Sequence, residues 1–398
     1  MVKQPSRRRF LRGLAATGAL ASVAGCAGSG GNEEDTTTTA EPTADTTTKE
    51  TTEPTTEETT SESGPFEVED MLGRTVAVPG HVDSVIGLGS GGLRLVTYLD
   101  MVDAVVGVEQ LETTNKKRPY RPYIHANPEL TEKPSIGSRK SPDPELLLQQ
   151  DPDVIVWGWA KEGEAEDLQS RLDIPVVGFQ PGDIDPNNRD LFFESLDLLG
   201  TVFGREERAQ ELRTYVQDTI ADLDGRTADL PAADRPSTYV GYLGRGKHGF
   251  PYTQPLYPPF DFVNTDNVAS GVTEDLKKKK GAARVTVDPE KIIEWDPEYI
   301  FVDVGTEEYD ALSLPEYEGI QAIEEGNVYA VFPTRDYNIN FGTALADAYY
   351  VGKTVYPDQY DDVDPVTTAN DIYETFVGDR VYEDVAASYG QGFGPMDV

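Results

Sequence analysis

The sequence contains one cysteine and three histidines in 398 residues. That excludes a disulfide scaffold, a cysteine-built metal cluster and a His-rich zinc site. Basic residues are also scarce, 34 Lys and Arg against 71 Asp and Glu, which leaves a formal charge of −37. A surface this negative is repelled by phosphate and no basic stripe relieves it, so nucleic acid is excluded as a partner. The acidity is spread along the whole chain, as expected of a halophilic protein whose self-repulsion is screened by high salt. An N-terminal apolar run, Gly13 to Gly25, is too short to span a bilayer as a stable helix. The length exceeds one small domain and predicts two lobes once tails are set aside.

What is present begins with addressing signals. Ser6-Arg7-Arg8-Arg9-Phe10-Leu11-Arg12 before the apolar run resembles a twin-arginine export signal over residues 1–25. Val23-Ala24-Gly25-Cys26 reads as a lipobox, and Cys26, the only cysteine, stands where lipid would be attached. Residues 31–64 hold 14 Thr, 10 acids and one Lys, a composition that cannot form a core. Residues 26–64 therefore read as a lipidated, disordered tether reaching on the order of 30 Å. The expected location is the extracytoplasmic face of the cell membrane, held by a lipid anchor.

From Pro65 onward the composition is globular. Arg74–Pro79, Val82–Ile86, Asp103–Val108, Val154–Trp157 and Pro175–Gly178 predict strands, with helices at Leu93–Leu99 and around Asp167–Leu172. Apolar residues at helical spacing from Asn188 to Leu230 predict two connecting helices broken near Gly200 and Gly204. A second α/β pattern follows, with strands at Ser237–Tyr242, Tyr299–Val302 and Asn327–Phe332 and a helix over Thr343–Val355. The domain reading is a first lobe over 65–187, connecting helices over 188–230 and a second lobe over 231–398. The fold class is α/β, two Rossmann-like lobes joined by a long rigid helix with a ligand cleft between them.

An internal repeat supports the two lobes. Asp143-Pro144-Glu145 followed by Asp151-Pro152-Asp153 and Val154-Ile155-Val156 recurs as Asp288-Pro289-Glu290, Asp296-Pro297-Glu298 and Tyr299-Ile300-Phe301. Each copy predicts a two-turn helix running into a buried strand. Asp is a favoured N-cap, Pro a favoured first helical residue, and Glu sits where the helix dipole favours it.

These motifs carry a resemblance. Phe66 to Pro79, the strand into Gly107-Val108-Glu109, Ile136-Gly137 with Pro144-Glu145, Val285 to Glu290, Asn340 to Lys353 and Tyr356-Pro357 resemble substrate-binding proteins of ABC importers for ferric siderophores and cobalamin. The likeness runs from about residue 66 to 360. It implies two lobes that move little on closure, with ligand between them at the C-terminal ends of the strands. It also implies an ABC permease and its ATPase as partners of a monomer, with one surface glutamate per lobe, Glu145 and Glu290, docking on permease arginines.

Loops expected to face the cleft hold the ligand-binding candidates. In the first lobe these are Arg118, Tyr120, Arg121 and Tyr123 of the Lys116–Tyr123 run, then Arg139, Trp159 and Lys161. In the second lobe they are Arg245, Lys247, His248, Tyr252, Tyr257, Arg335 and Tyr337. The Lys277–Lys280 run is read as a solvated loop. Basic residues are rare in this chain yet cluster in these loops. Arginine grips carboxylates bidentately and aromatics stack on planar or chelated ligands, so an anionic metal chelate, a ferric siderophore first, fits best. Cobalamin, haem and molybdate or tungstate are alternatives with the same transport role. Three histidines argue against capture of bare zinc or manganese, and no catalytic residue, resident cofactor or metal ligand is assigned.

One motif points elsewhere. Gly87-Leu88-Gly89-Ser90-Gly91-Gly92 follows a strand and precedes a helix, with Glu109 about twenty residues on. That is the dinucleotide fingerprint in a plausible context, and it keeps an exported NAD(P)-type oxidoreductase as an alternative. A ligand sensor or adhesion protein built on the same two lobes is the third reading.

Overall fold

The computed structural model describes residues 64–397, apart from 115–120, 140, 245–247, 273–283 and 306–308. Cys26 and the tether, Arg118, Tyr120, Arg245, Lys247 and Lys277–Lys280 therefore lie outside the described residues.

A hairpin opens the fold, with β1 (Phe66–Glu69) antiparallel to β2 (Thr75–Val78). Asp70 pins it to the lobe, accepting from the Arg74 guanidinium and from the backbone N–H of Gly178 at 3.0 Å. Then come β3 (Val85–Leu88), α1 (Gly92–Tyr98), β4 (Val105–Gly107), α2 (Gln110–Thr114) and α3 (Pro122–Ala126). A small hairpin of β5 (Gly137–Ser138) and β6 (Ser141–Pro142) leads into α4 (Pro144–Gln150), β7 (Val154–Gly158), α5 (Glu162–Leu172) and β8 (Val176–Phe179). The main strands form a parallel sheet in the order β4-β3-β7-β8. Continuous Val and Ile runs suit strands covered on both faces, and Val85, Ile86, Val154, Ile155 and Val176 are all at 0% exposure.

Two packed helices, α6 (Arg189–Phe203) and α7 (Glu206–Gly225), cross to the second lobe. There follow β9 (Ser237–Gly241), β10 (Tyr252–Thr253), α8 (Pro258–Phe262), β11 (Asp266–Asn267), β12 (Val285–Thr286) and α9 (Pro289–Trp295). The chain continues through β13 (Tyr299–Asp303), α10 (Gln321–Glu324), β14 (Val328–Val331), α11 (Phe341–Val355), α12 (Pro365–Val377), α13 (Tyr382–Tyr389) and β15 (Gly394–Pro395). The sheet order is β11-β9-β13-β14-β15, parallel except for the antiparallel β15 at one edge. Although late in sequence, α12 and α13 pack against α3 of the first lobe, and Ser388 Oγ lies 2.9 Å from His125 Nε2.

The repeat is structural in detail. Asp143 and Asp288 each accept from the backbone N–H two residues on, at 3.0 Å. Both helices end on an aspartate in the left-handed region, Asp151 and Asp296, each at φ 47°. The third acid of each copy clips a neighbouring serine reciprocally. Asp153 accepts from the Ser84 N–H at 2.8 Å and donates its own N–H to Ser84 Oγ at 2.9 Å. Glu298 does the same with Ser237, at 2.7 and 3.0 Å. Each clip joins the starts of two paired parallel strands, β3 with β7 and β9 with β13.

Three expectations shift. The strand expected at Val82–Ile86 begins at Val85 and runs to Leu88, because Ser84 is engaged in its clip. The run from Asp103 opens as a 3-10 turn, Val102–Ala104, before becoming β4. Gly200 does not break α6. A Cβ there would lie 2.8 Å from the Ala209 Cβ, so the glycine admits α7, while Gly204 at φ 61° ends the helix.

Candidate functional site

Loops at the C-terminal ends of the two parallel sheets meet, and they build the site. On the first-lobe side the β3–α1 turn is held open by its glycines. Gly89 has φ 75°, and a Cβ on it would stand 2.1 Å from the Gly158 carbonyl oxygen. Gly91 has φ 89°, and its Cβ would meet the second lobe's Asn338 Nδ2 at 2.8 Å. The glycines therefore permit close approach of a neighbouring strand end and of the opposite lobe. Glu109, 2% exposed at the end of β4, accepts from the Gly89 N–H at 2.9 Å through one oxygen and from the Tyr337 hydroxyl through the other. In this fold the fingerprint and its acid fasten the two lobes, which accounts for them without a nucleotide.

The loop after β14 is the bridge. Arg335 pairs with Asp183, which follows β8 in the first lobe. Arg94 of α1, 1% exposed, donates to the carbonyl oxygens of Asp336 at 2.7 Å and Tyr337 at 3.1 Å. Tyr337 and Asn338 are consecutive non-glycine residues at φ 54° and 86°, a strained backbone held by these contacts. Burial pushes the Glu109 carboxyl above its usual range, against the hydrogen bonds from Tyr337 and Gly89 that hold it down. The Tyr337 phenol is driven up by burial and by the adjacent Glu109 carboxylate.

Further groups stand on loops that follow the strands of each lobe. Arg139 is exposed; its Nη1 donates to Ser90 Oγ at 2.9 Å and its guanidinium lies 5.4 Å from the Tyr337 ring centre. Trp159, just after β7 at φ 62°, is 47% exposed. In the second lobe, Arg284 Nη1 and Tyr252 Cε1 both lie 3.5 Å from where a Cβ on Gly244 would sit, just beyond β9. Arg284 Nε and Nη2 are buried and make no hydrogen bond among the described residues. The His248 ring lies 4.5 Å from that of Tyr252. Neither Arg139 nor Arg284 has an ion pair among the described residues. Beneath them Asp347, 0% exposed, accepts from the Phe332 N–H at 3.2 Å, and burial pushes its carboxyl well above the usual range.

With this geometry in place, the comparisons are decisive on family. A family model described as periplasmic binding protein matches residues 85–333. The chain belongs to this family. The molybdate-binding protein MolA of Haemophilus influenzae is 25% identical over 344 residues, 80% of this chain and 93% of MolA. The structure of MolA bound to molybdate superimposes with a TM-score of 0.59 at 22% identity, covering 83% of this chain and all of that one (100%). A periplasmic solute-binding protein from Veillonella parvula gives 0.63 at 19% identity, covering 82% and 97%. Staphylococcus aureus SirA complexed with staphyloferrin B gives 0.50 at 17%, covering 73% and 98%. The resemblance to substrate-binding proteins of ABC importers is thereby upheld, as is the two-lobed α/β fold.

Within this periplasmic binding protein the candidate residues divide. Arg139 and Tyr337 are brought together from the two lobes, His248 and Tyr252 lie together after β9, and Trp159 is exposed just after β7. Arg121 and Tyr123 do not open onto the cleft as expected. They are 1% and 2% exposed, with Arg121 Nη2 3.1 Å from Glu112 and the Tyr123 hydroxyl donating to the same carboxylate at 2.9 Å. Burial pushes Glu112 upward against that arginine. Arg335 is taken up by Asp183, so it joins lobes instead of standing free. Lys161 turns to solvent and pairs with Glu164 at 2.9 Å, and Tyr257 is buried under the second-lobe floor at 1% exposure. Glu145 and Glu290 are exposed at the starts of α4 and α9. Sequence reasoning missed Arg94, Asp183 and Arg284. Arg94 did carry a signal, a lone charge inside the apolar run Leu93-Arg94-Leu95-Val96.

Proposed function

We propose that this protein is an extracytoplasmic solute-binding lipoprotein that captures an anionic, oxygen-rich metal solute in its cleft and delivers it to an ABC importer. One observation carries the ligand class. Each lobe holds a guanidinium without an ion pair among the described residues, Arg139 in the first, beside Tyr337, and Arg284 in the second, beside Gly244 and Tyr252. In a protein with a charge of −37, arginines without an ion pair among the described residues are candidates for holding an anion, Arg139 also acting on the nearby Glu109 carboxyl. A metal oxyanion is the first reading, and the likeness to MolA over 93% of that protein supports it. The ferric chelate expected from the sequence is the second, favoured by the aromatic surface of Trp159, Tyr252 and His248. Lipid on Cys26 and export by the twin-arginine route complete the proposal, with Glu145 and Glu290 docking the permease.

The test is the metal content of protein recovered from its native membrane, by elemental and native mass spectrometry. Molybdenum, tungsten or iron near one atom per chain is expected. A nicotinamide nucleotide, or protein that stays metal-free after incubation with molybdate and with ferric siderophore, overturns the reading.

A further inference from the structure

Among the described residues, the large apolar side chains left exposed are Leu148, Trp159, Leu256, Ile293 and Leu314. Two of them, Leu148 at 48% and Ile293 at 40%, fall at the same position of the duplicated helix. In each copy the preceding residue, Leu147 or Ile292, is the 0%-exposed anchor that seats the helix on its lobe. Core packing thus explains the anchor and leaves the next residue free to be polar. Both copies keep it aliphatic, although the neighbouring surface positions differ, Leu146 against Lys291 and Gln149 against Glu294. Glu145 and Leu148, and likewise Glu290 and Ile293, are three apart and share one helix face. Neither glutamate makes an ion pair among the described residues. Single exposed aliphatics are ordinary, but a glutamate–aliphatic pair repeated in register on both lobes is a matched feature.

We propose that Leu148 and Ile293 are the apolar contacts of the two permease-docking points, each beside its glutamate. The inference rests on the delivery role proposed above and adds to it what holds the complex. The partner it fits is a membrane permease with two like halves, each presenting a cationic side chain next to an apolar depression, because two like marks call for two like receptors. Solvent-exposed ion pairs bind weakly by themselves. An aliphatic group beside each pair displaces water and supplies the contact that slows dissociation, while the glutamates set orientation.

The experiment uses the full-length chain in host cells lacking their own copy, with uptake of radiolabelled molybdate and of a ferric siderophore measured. Leu148→Gln with Ile293→Gln keeps helix propensity and removes the apolar groups. The double variant is expected to lower uptake about tenfold or more, and each single change about threefold, with ligand affinity and Tm as in wild type. Leu148→Lys with Ile293→Lys provides a second version should the first express poorly. Normal uptake by the Gln double variant, alongside lost uptake in Glu145→Ala/Glu290→Ala, overturns this inference and leaves the delivery role standing. Normal uptake in both pairs overturns docking through these helices altogether. Concentration-dependent self-association of wild type that the Gln variant abolishes assigns the patch to a second copy of the chain, and also overturns the inference.

Discussion

Replacing Arg284 with Met separates a ligand-gripping arginine from a structural one, because the two roles predict opposite signs. Arg284 Nε and Nη2 are shielded from solvent without a hydrogen-bond partner among the described residues. A buried donor left unmade costs about 1–3 kcal/mol, and the half-buried side chain places Arg284 near the lower end, roughly 1 kcal/mol. Met keeps an apolar stem and removes the charged head, whose Nη1 lies beside Gly244 and Tyr252. Without ligand, Arg284→Met should therefore be unchanged or more stable, with Tm higher by up to about 2 °C for a fold of this size. The affinity for an anion should move the other way. A charge-assisted hydrogen bond contributes about 1.5–3 kcal/mol, so the Kd for molybdate should weaken roughly 10- to 150-fold. Differential scanning calorimetry and isothermal titration on one preparation give both numbers. A Tm lowered by several degrees with an unaltered Kd would refute the reasoning and make the guanidinium structural.

Three other outcomes follow from the same structure. Arg94→Met removes two hydrogen bonds to the carbonyl oxygens of Asp336 and Tyr337 and should cost roughly 3 kcal/mol in urea unfolding, because it unfastens the bridging loop. Asp347 has a folded-state pKa raised by burial, so its contribution to stability is fully present below the unfolded value near 4 and is lost as pH rises through the folded value. Asp347→Asn should accordingly match wild type in Tm at pH about 4 and exceed it on the alkaline side; equal pH profiles would count against a neutral Asp347. Cys26→Ser should move the protein from the membrane to the soluble fraction on cell fractionation and remove any lipid mass from the intact protein.

The fold was largely legible because its signals are local. Runs such as Val154-Ile155-Val156, β-branched and short, read as strands buried on both faces, and Asp-Pro-Glu encodes a helix start in three residues. The repeat was visible as spacing, yet the reason for its third acid was not, since the serine clips of Asp153 and Glu298 join residues more than sixty positions apart. The site was less legible for the same reason. Arg121 looked like one more cation in a basic loop, but Glu112 and Tyr123 turn it inward. Arg335 looked free until the fold delivered Asp183 from the other lobe. Arg284 carries no local signal beside a lysine run, and its place near Tyr252 and Tyr257 is a property of the fold. The glycine fingerprint was correct as local geometry, a tight turn between strand and helix. What sets it to joining lobes is Tyr337, which arrives from 228 residues away to take the other oxygen of Glu109.

The measurement that bears most directly on the ligand is isothermal titration of the purified protein with molybdate, tungstate, sulfate, a ferric siderophore, haem and cobalamin. Saturable one-to-one binding of an anionic metal solute is expected, weakened by Arg139→Gln and by Arg284→Met. Binding of cobalamin alone, indifferent to both arginines, would contradict it.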